Sequence, residues 1–152
     1  MGAQGRCGNL YNFGHGVAQD DRLAFLYYEK GAQQGDAGCQ SGLGAFYIHG
    51  LGVAKDYLEA RRLYTLASAQ GFAQATEELN RLEEKIRTEC PLLGKRVMIT
   101  GTSREDLNGR AGVARSFDEA KGRYVVRLDG AGAGESALRL KPVNLRPTVR
   151  LK

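Results

Sequence analysis

The ten residues YNFGHGVAQD at 11–20 return as YIHGLGVAKD at 47–56, and the likeness runs on at a fixed offset of 36 residues. Gly8 meets Gly44, Tyr11 Tyr47, Gly14 Gly50, Gly16 Gly52, Val17 Val53 and Asp20 Asp56. Past the quoted phrase Ala24 meets Ala60, Tyr28 Tyr64, Gln34 Gln70, Gly35 Gly71 and Ala37 Ala73. A period of this length constrains the fold more than any composition does, because each unit is then one supersecondary element that buries its apolar face against the next.

Each unit reads as two helices. The spacing predicts a helix over 37–49 that ends near Gly50, a turn through Gly52 with Val53 tucked inward, and a second helix starting at Asp56. Asp56 with Glu59 three residues on reads as an acidic capping box, and Gly71 stands where a C′ glycine ends a helix. Leu58, the stem of Arg62, Leu63, Leu66 and Ala67 are expected to form its buried stripe, with Ala60 and Tyr64 alongside. Gly42 and Gly44 inside the first helix each cost up to about 1 kcal/mol against alanine, so close helix approach is the expected reason for them. Neither copy of the turn completes G-x-G-x-x-G or ends in G-K-[ST], and no strand precedes it, which argues against a phosphate loop. A third copy starts with Ala75 and Leu79, then departs at Asn80 and Glu83. Leu79, Leu82 and Ile86 with the pairs Glu77–Arg81 and Glu83–Arg87 suggest a capping helix with a polar outer face.

The pattern of a small residue, Leu-Gly, Tyr, G-x-G-V, Asp, Ala, Tyr and Gly resembles the Sel-1-like repeat, a relative of the tetratricopeptide repeat. Cys39 takes the small position, Leu43 and Gly44 the Leu-Gly pair, Tyr47 the tyrosine, Gly50, Gly52 and Val53 the turn, and Ala60, Tyr64 and Gly71 the second helix. In the first copy Ala3, Cys7, Gly8, Tyr11, Gly14, Gly16, Val17, Ala24, Tyr28 and Gly35 take those places, with Cys7 departing from leucine. The resemblance implies an α-α solenoid of about two and a half repeats over residues 1–90, a concave face lined by the first helices, and protein binding as the role. Asn9, Asn12, Gln40, Ser41 and Ile48 are then the candidate contact residues.

Charge divides the chain at the same place. Residues 1–90 carry 9 Lys and Arg against 11 Asp and Glu, whereas residues 91–152 carry 13 against 6. From Pro91 on, the hydrophobic period shifts to two: KRVMIT, RAGVARSF, RYVVRL and SALRLK read as short strands separated by turn signals. Val97, Ile99, Val113, Tyr124, Val126, Leu128, Leu138 and Leu140 are expected to share an inner face. Residues 92–147 resemble the small SH3-like barrels attached to repeat or zinc-finger modules, and LNGRAGVA resembles the KOW motif built on that barrel type. The fold class expected is thus α+β multidomain: a helical solenoid at 1–90, then a small all-β SH3-like barrel with a basic tail at 91–152. Arg115, Arg123, Arg127, Arg139 and Lys141 are expected to point outward as one basic surface. The glycine-rich DGAGAGES at 129–136 reads as a hairpin loop.

Catalysis finds no footing in this sequence. His15 and His49 lack metal-ligand neighbours, no G-x-S-x-G elbow occurs, and the paired carboxylates fall at caps, turns and helix surfaces. No metal, cofactor or catalytic residue is therefore expected. Cys7, Cys39 and Cys90, an odd number without C-x-x-C spacing, suggest buried thiols in a reducing compartment, cytoplasm or organelle interior, and no secretory signal or membrane-spanning run is visible. The reading that results is a noncatalytic adaptor or scaffold for protein partners, up to an accessory subunit of a large assembly. The alternative is an RNA-associated protein that binds through the basic barrel, with affinity falling steeply in salt.

Overall fold

A computed structural model describes residues 20–148, so readings that fall on residues 1–19, among them Asn9, Asn12, Cys7 and His15, lie outside the described residues. The chain divides into two compact units between Lys85 and Ile86. Four helices come first: α1 Asp21–Gln33, α2 Ala37–His49, α3 Tyr57–Ala69 and α4 Ala73–Glu89.

Aspartate starts three of them. Asp20, Asp36 and Asp56 stand in extended backbone, and a side-chain oxygen of each accepts from the N–H three residues on, at 3.0 Å from Leu23, 2.8 Å from Cys39 and 3.0 Å from Glu59. Each supplies one of the partners that a helix N-terminus lacks. The capping box expected at Asp56 is only half formed. The Asp56 N–H donates to the Tyr47 carbonyl at 3.0 Å, and the Glu59 carboxylate takes Arg62 Nε at 3.1 and 3.0 Å.

The helix ends repeat as the sequence does. Gly35 and Gly71 both hold left-handed backbone, at φ +84° and +83°. Around Gly35 the Ala32 and Gly31 carbonyls accept from Gly35 and Asp36. Around Gly71 the Ser68 and Ala67 carbonyls accept from Gly71 and Phe72 in the same pattern. Both are Schellman closures, which need a residue free of the Cβ penalty at that position.

Why α2 carries glycine inside a helix follows from its neighbours. A Cβ on Gly42 would run into the Tyr28 ring, and one on Gly44 would stand 2.9 Å from Cε1 of Tyr64. Tyr28 on α1 and Tyr64 on α3 are the same position of successive repeats, so α2 is pressed from two sides by equivalent rings. Ala24, Tyr28, Cys39, Leu43, Phe46 and Leu63 form the buried cluster here, with Phe25, Tyr47, Leu51 and Val53 packed against it. The Phe25 ring meets Phe46 and Tyr47 edge-on at 6.3 and 5.7 Å.

In α3 the buried stripe is Ala60, Leu63, Tyr64 and Ala67. Arg62 and Leu66 are exposed, the latter at 42%, which takes two residues out of the expected stripe and leaves Leu63 and Ala67 in it. Long aliphatic character at 58, 62 and 66 suggested burial, but Arg62 is drawn out by Glu59. α4 buries Ala75, Leu82 and Ile86. It is fastened to α3 by Ser68 Oγ and Thr76 Oγ1 at 2.6 Å, by Arg61 and Glu83 at 3.7 Å, and by Lys85 Nζ lying 5.8 Å from the Tyr57 ring centroid. Arg81 pairs with Glu78 at 2.9 Å, where the sequence suggested Glu77.

The second unit is an antiparallel sheet of β1 Arg96–Ile99, β2 Ala111–Asp118, β3 Arg123–Leu128, β4 Leu138–Leu140 and β5 Leu145–Pro147, in the order β4-β3-β2-β1-β5. A single 3-10 turn, Pro142–Asn144, carries the chain from one edge strand to the other. Pairing stops at β4 and β5, so among the described residues the sheet is open and not the closed barrel expected. Its inner face is Val97, Ile99, Ala114, Tyr124, Val126 and Leu145, all buried. Val113, expected inward, faces out: it lies opposite Arg96 and Arg127, and the inner positions of β2 are Gly112 and Ala114. A one-residue phase error reverses every side chain. Here the inner phase was silent, because a Cβ on Gly112 would collide with the Arg127 carbonyl oxygen.

Candidate interaction surfaces

The helical unit holds a groove of about 680 Å³ with two walls. One is α2, through Gly38, Ser41, Gly42, Ala45, Ile48 and His49. The other is α4, through Gln74, Glu78, Arg81, Leu82 and Lys85, with Tyr28 and Tyr64 between. The walls are the same face of successive repeats: at the 36-residue offset Gly38 becomes Gln74, Gly42 Glu78, Ala45 Arg81 and His49 Lys85. One wall is therefore short and nearly bare, the other long and polar.

Of the candidate contact residues, Ser41 and Ile48 line this groove. Gln40 does not: it is 6% exposed, and its Oε1 accepts from Gln70 Nε2 at 2.9 Å, a link between α2 and the end of α3. Asn9 and Asn12, equivalent by offset to Ala45 and Ile48, lie outside the described residues. The reading missed the small residues and the whole α4 wall. The offset carries the signal, but glycine and alanine in a helix are equally what close packing against a neighbour demands.

The outer face of the sheet gathers cations. Antiparallel partners share a face, and the register sets Arg96, Val113 and Arg127 in one row across β1, β2 and β3. Ser116, Val125 and Arg139 form a second row, Asp118 and Arg123 a third, and Arg146, Met98 and Ala111 a fourth. Alternation along β3 puts Arg123, Val125 and Arg127 on the same side. Of the basic residues read from the sequence, Arg123, Arg127 and Arg139 thus share one face, exposed Lys141 follows at its margin, and Arg115 sits apart in the β-bulge between Ala114 and Ser116. Arg96 and Arg146 belong to the face as well. Two acids answer them: Asp129 takes Arg96 through both guanidinium nitrogens, and Asp118 lies 3.8 Å from Arg139. Among the described residues Arg123, Arg127 and Arg146 have no ion-pair partner.

The buried titratable groups are packing groups. Burial pushes the Tyr28 and Tyr64 hydroxyls up to about 12. Burial first, then the Asp36 carboxylate beside it, pushes the Cys39 thiol to about 12 as well. Such a thiol is neutral and a poor nucleophile. Tyr124 is raised by burial, and its hydroxyl oxygen accepts from Leu92 N–H at 3.1 Å. Among the described residues no three His, Cys, Asp or Glu side chains are grouped to hold a metal ion. No helix among them is long and apolar enough to cross a membrane.

Residues 2–36 and 37–72 match the Sel1 repeat family, in the two blocks set out by the offset. No curated protein matches the chain. Among solved structures it is similar to a Sel1 repeat protein from Oxalobacter formigenes, at 40% identity and a TM-score of 0.51, over 52% of this chain and 59% of that one. It is also similar, at 37% identity and a TM-score of 0.53, to a protective antigen present in uropathogenic Escherichia coli strains displaying an SLR fold, over 55% of this chain and 18% of that one. The chain thus spans less than two thirds of either neighbour. The family match and the likeness to these solved structures are to Sel1 repeats, and the matched residues lie within the helical unit.

Proposed function

We propose that the chain is a noncatalytic adaptor that holds a protein partner in the α2–α4 groove, as a scaffold or an accessory subunit of a larger complex. The observation that carries this reading is the groove itself. Gly38 and Ala45 leave the α2 wall low enough for close approach of another backbone, while Gln74, Glu78, Arg81 and Lys85 offer a polar edge and Ile48 and Leu82 apolar contact. A hydrophobic centre bounded by polar groups is what a specific protein interface requires. The sheet unit is a second contact surface, read as a partly open SH3-like barrel. The single meander, the 3-10 turn before β5 and the bulged β2 support that reading. The buried free thiols Cys39 and Cys90 support a reducing compartment.

The test is purification of partners from the native source with the wild-type chain and with Ala45→Arg/Ile48→Arg, which fills the groove from two half-buried positions of α2. A partner held by the wild type, and again from purified components, should be lost with the variant. Its full retention by a folded variant overturns the groove as the site.

The basic outer face favours a second reading, RNA association. Against it, Phe117 and Tyr124, the aromatic residues of the sheet, lie against each other at 4.7 Å on opposed inner positions, so no ring stands on the basic face to stack a base. Electrophoretic mobility shift with RNA across a salt series tests it.

A further inference from the structure

The outer sheet face combines two properties that a simple solvated surface does not need to combine. Half-buried apolar residues, Ala111, Val113 and Val125, run through its middle, with Met98 40% exposed beside them. Arginines flank them in register: Arg96 and Arg127 on either side of Val113, Arg139 beside Val125, Arg123 and Arg146 in the outer rows. Asp118 and Asp129 already engage Arg139 and Arg96, which leaves Arg123, Arg127 and Arg146 as the arginines of this face without an ion pair among the described residues. Polyanions such as RNA would use the arginines and leave the valines idle, whereas a protein segment that brings both carboxylates and apolar side chains uses both.

We infer that this face docks an acidic amphipathic protein segment, with its Asp and Glu on Arg123, Arg127 and Arg146 and its apolar residues over Val113, Val125 and Met98. The inference rests on the adaptor reading and gives the sheet unit its own partner class, separate from the groove. Charge complementarity of this kind sets encounter rate and specificity, and the apolar strip supplies the residence time.

The probe is a labelled synthetic peptide in which Leu alternates with Asp and Glu, titrated against the full chain by fluorescence anisotropy, with poly-glutamate and single-stranded and duplex RNA as the other arms. The peptide should bind more tightly than poly-glutamate or either RNA. Arg123→Glu/Arg127→Glu should weaken it by about tenfold or more, as reversal of unpaired contact charges does, and the neutral Arg123→Gln/Arg127→Gln should fall between. That second pair keeps the test valid if charge reversal disturbs the sheet. The groove variant Ala45→Arg/Ile48→Arg should leave the peptide affinity unchanged, so failure of the groove reading and failure of this one are told apart. Three results overturn the proposal: RNA bound more tightly than the peptide with a steep salt dependence, poly-glutamate bound as well as the peptide, or peptide binding indifferent to both arginine variants.

Discussion

The Tyr64 ring lies across Gly44 so closely that a methyl group at Gly44 would stand 2.9 Å from ring carbon Cε1. Tyr64 is only 2% exposed, so the ring has no room to turn away. Alanine is the better helix former by about 1 kcal/mol, yet overpacking a filled core costs about 1–3 kcal/mol. Gly44→Ala should therefore destabilise by about 1–2 kcal/mol in urea unfolding. In a Tyr64→Leu background the same change should cost less, because the atom it meets is gone. A double-mutant cycle measures that coupling directly.

The buried hydroxyls make a prediction at high pH. Tyr28 and Tyr64 titrate in the folded unit near 12 because burial disfavours the phenolate, while tyrosine in an unfolded chain titrates near 10. A folded pKa above the unfolded one means the unfolded state releases its proton first as pH rises. The stabilisation is full below about pH 10 and is lost as pH climbs toward 12. Ultraviolet titration should show tyrosinate absorbance arriving in a late step that coincides with loss of helical circular dichroism. A simple titration near pH 10 with the helices intact would contradict it.

How much of this was legible in the sequence differs between the units, for a physical reason. In the helical unit the turns are held by residues with few substitutes, Gly35 and Gly71 at positive φ and Asp20, Asp36 and Asp56 at the caps, and these reveal element boundaries. Gly42 and Gly44 were equally visible, but what they make room for, a tyrosine from each neighbouring helix, needs the third dimension. In the sheet the inner phase of β2 is written by Gly112 and Ala114, which carry almost no hydrophobic signal, so the outward Val113 was the louder residue. Gln40 was misread for a related cause. A polar residue on a helix suggests solvent, and only its partner Gln70, thirty positions away, shows that it is a buried link.

Cys39 and Cys90 should be slow toward thiol reagents. Both are essentially inaccessible, at 0% and 1% exposure, and the Cys39 thiol is held near 12 by burial and by Asp36. In a Cys7→Ser background, Ellman's reagent should find little reactive thiol until denaturant is added, then two per chain. Rapid reaction of the native protein would mean that the unit holding the reactive thiol opens locally.

The half-buried cap at Asp56 makes two connections at once. Its carboxylate accepts from Glu59 N–H at 3.0 Å while its own N–H closes on Tyr47, so one residue starts α3 and ties it to α2. Asp56→Ala removes the first bond only, and should cost about 1 kcal/mol. Asp56→Asn keeps an acceptor and should cost less, which separates the hydrogen bond from the charge.

Asn144 ties the start of the edge strand β5 to the chain that follows β1. Its Nδ2 donates to the carbonyls of Thr100 and Gly101 at 3.1 and 3.0 Å, and its own carbonyl accepts from Thr100 N–H at 2.8 Å. The strand itself spans three residues and ends on Pro147, which has no N–H to give. With so short a ladder, the side-chain bonds at its start fix the register of Leu145 against Ile99. Asn144→Ala abolishes both of them, and since water can reach the carbonyls they leave, a loss of about 1 kcal/mol is expected. Asn144→Asp should be no better, because a carboxylate cannot donate to a carbonyl and adds repulsion there. Hydrogen exchange at the Thr100 and Thr148 amides, which donate to the Asn144 and Arg96 carbonyls across this edge, should quicken in both variants ahead of global unfolding. Unchanged protection at those two amides would mean that the backbone pairing alone holds β5 in place.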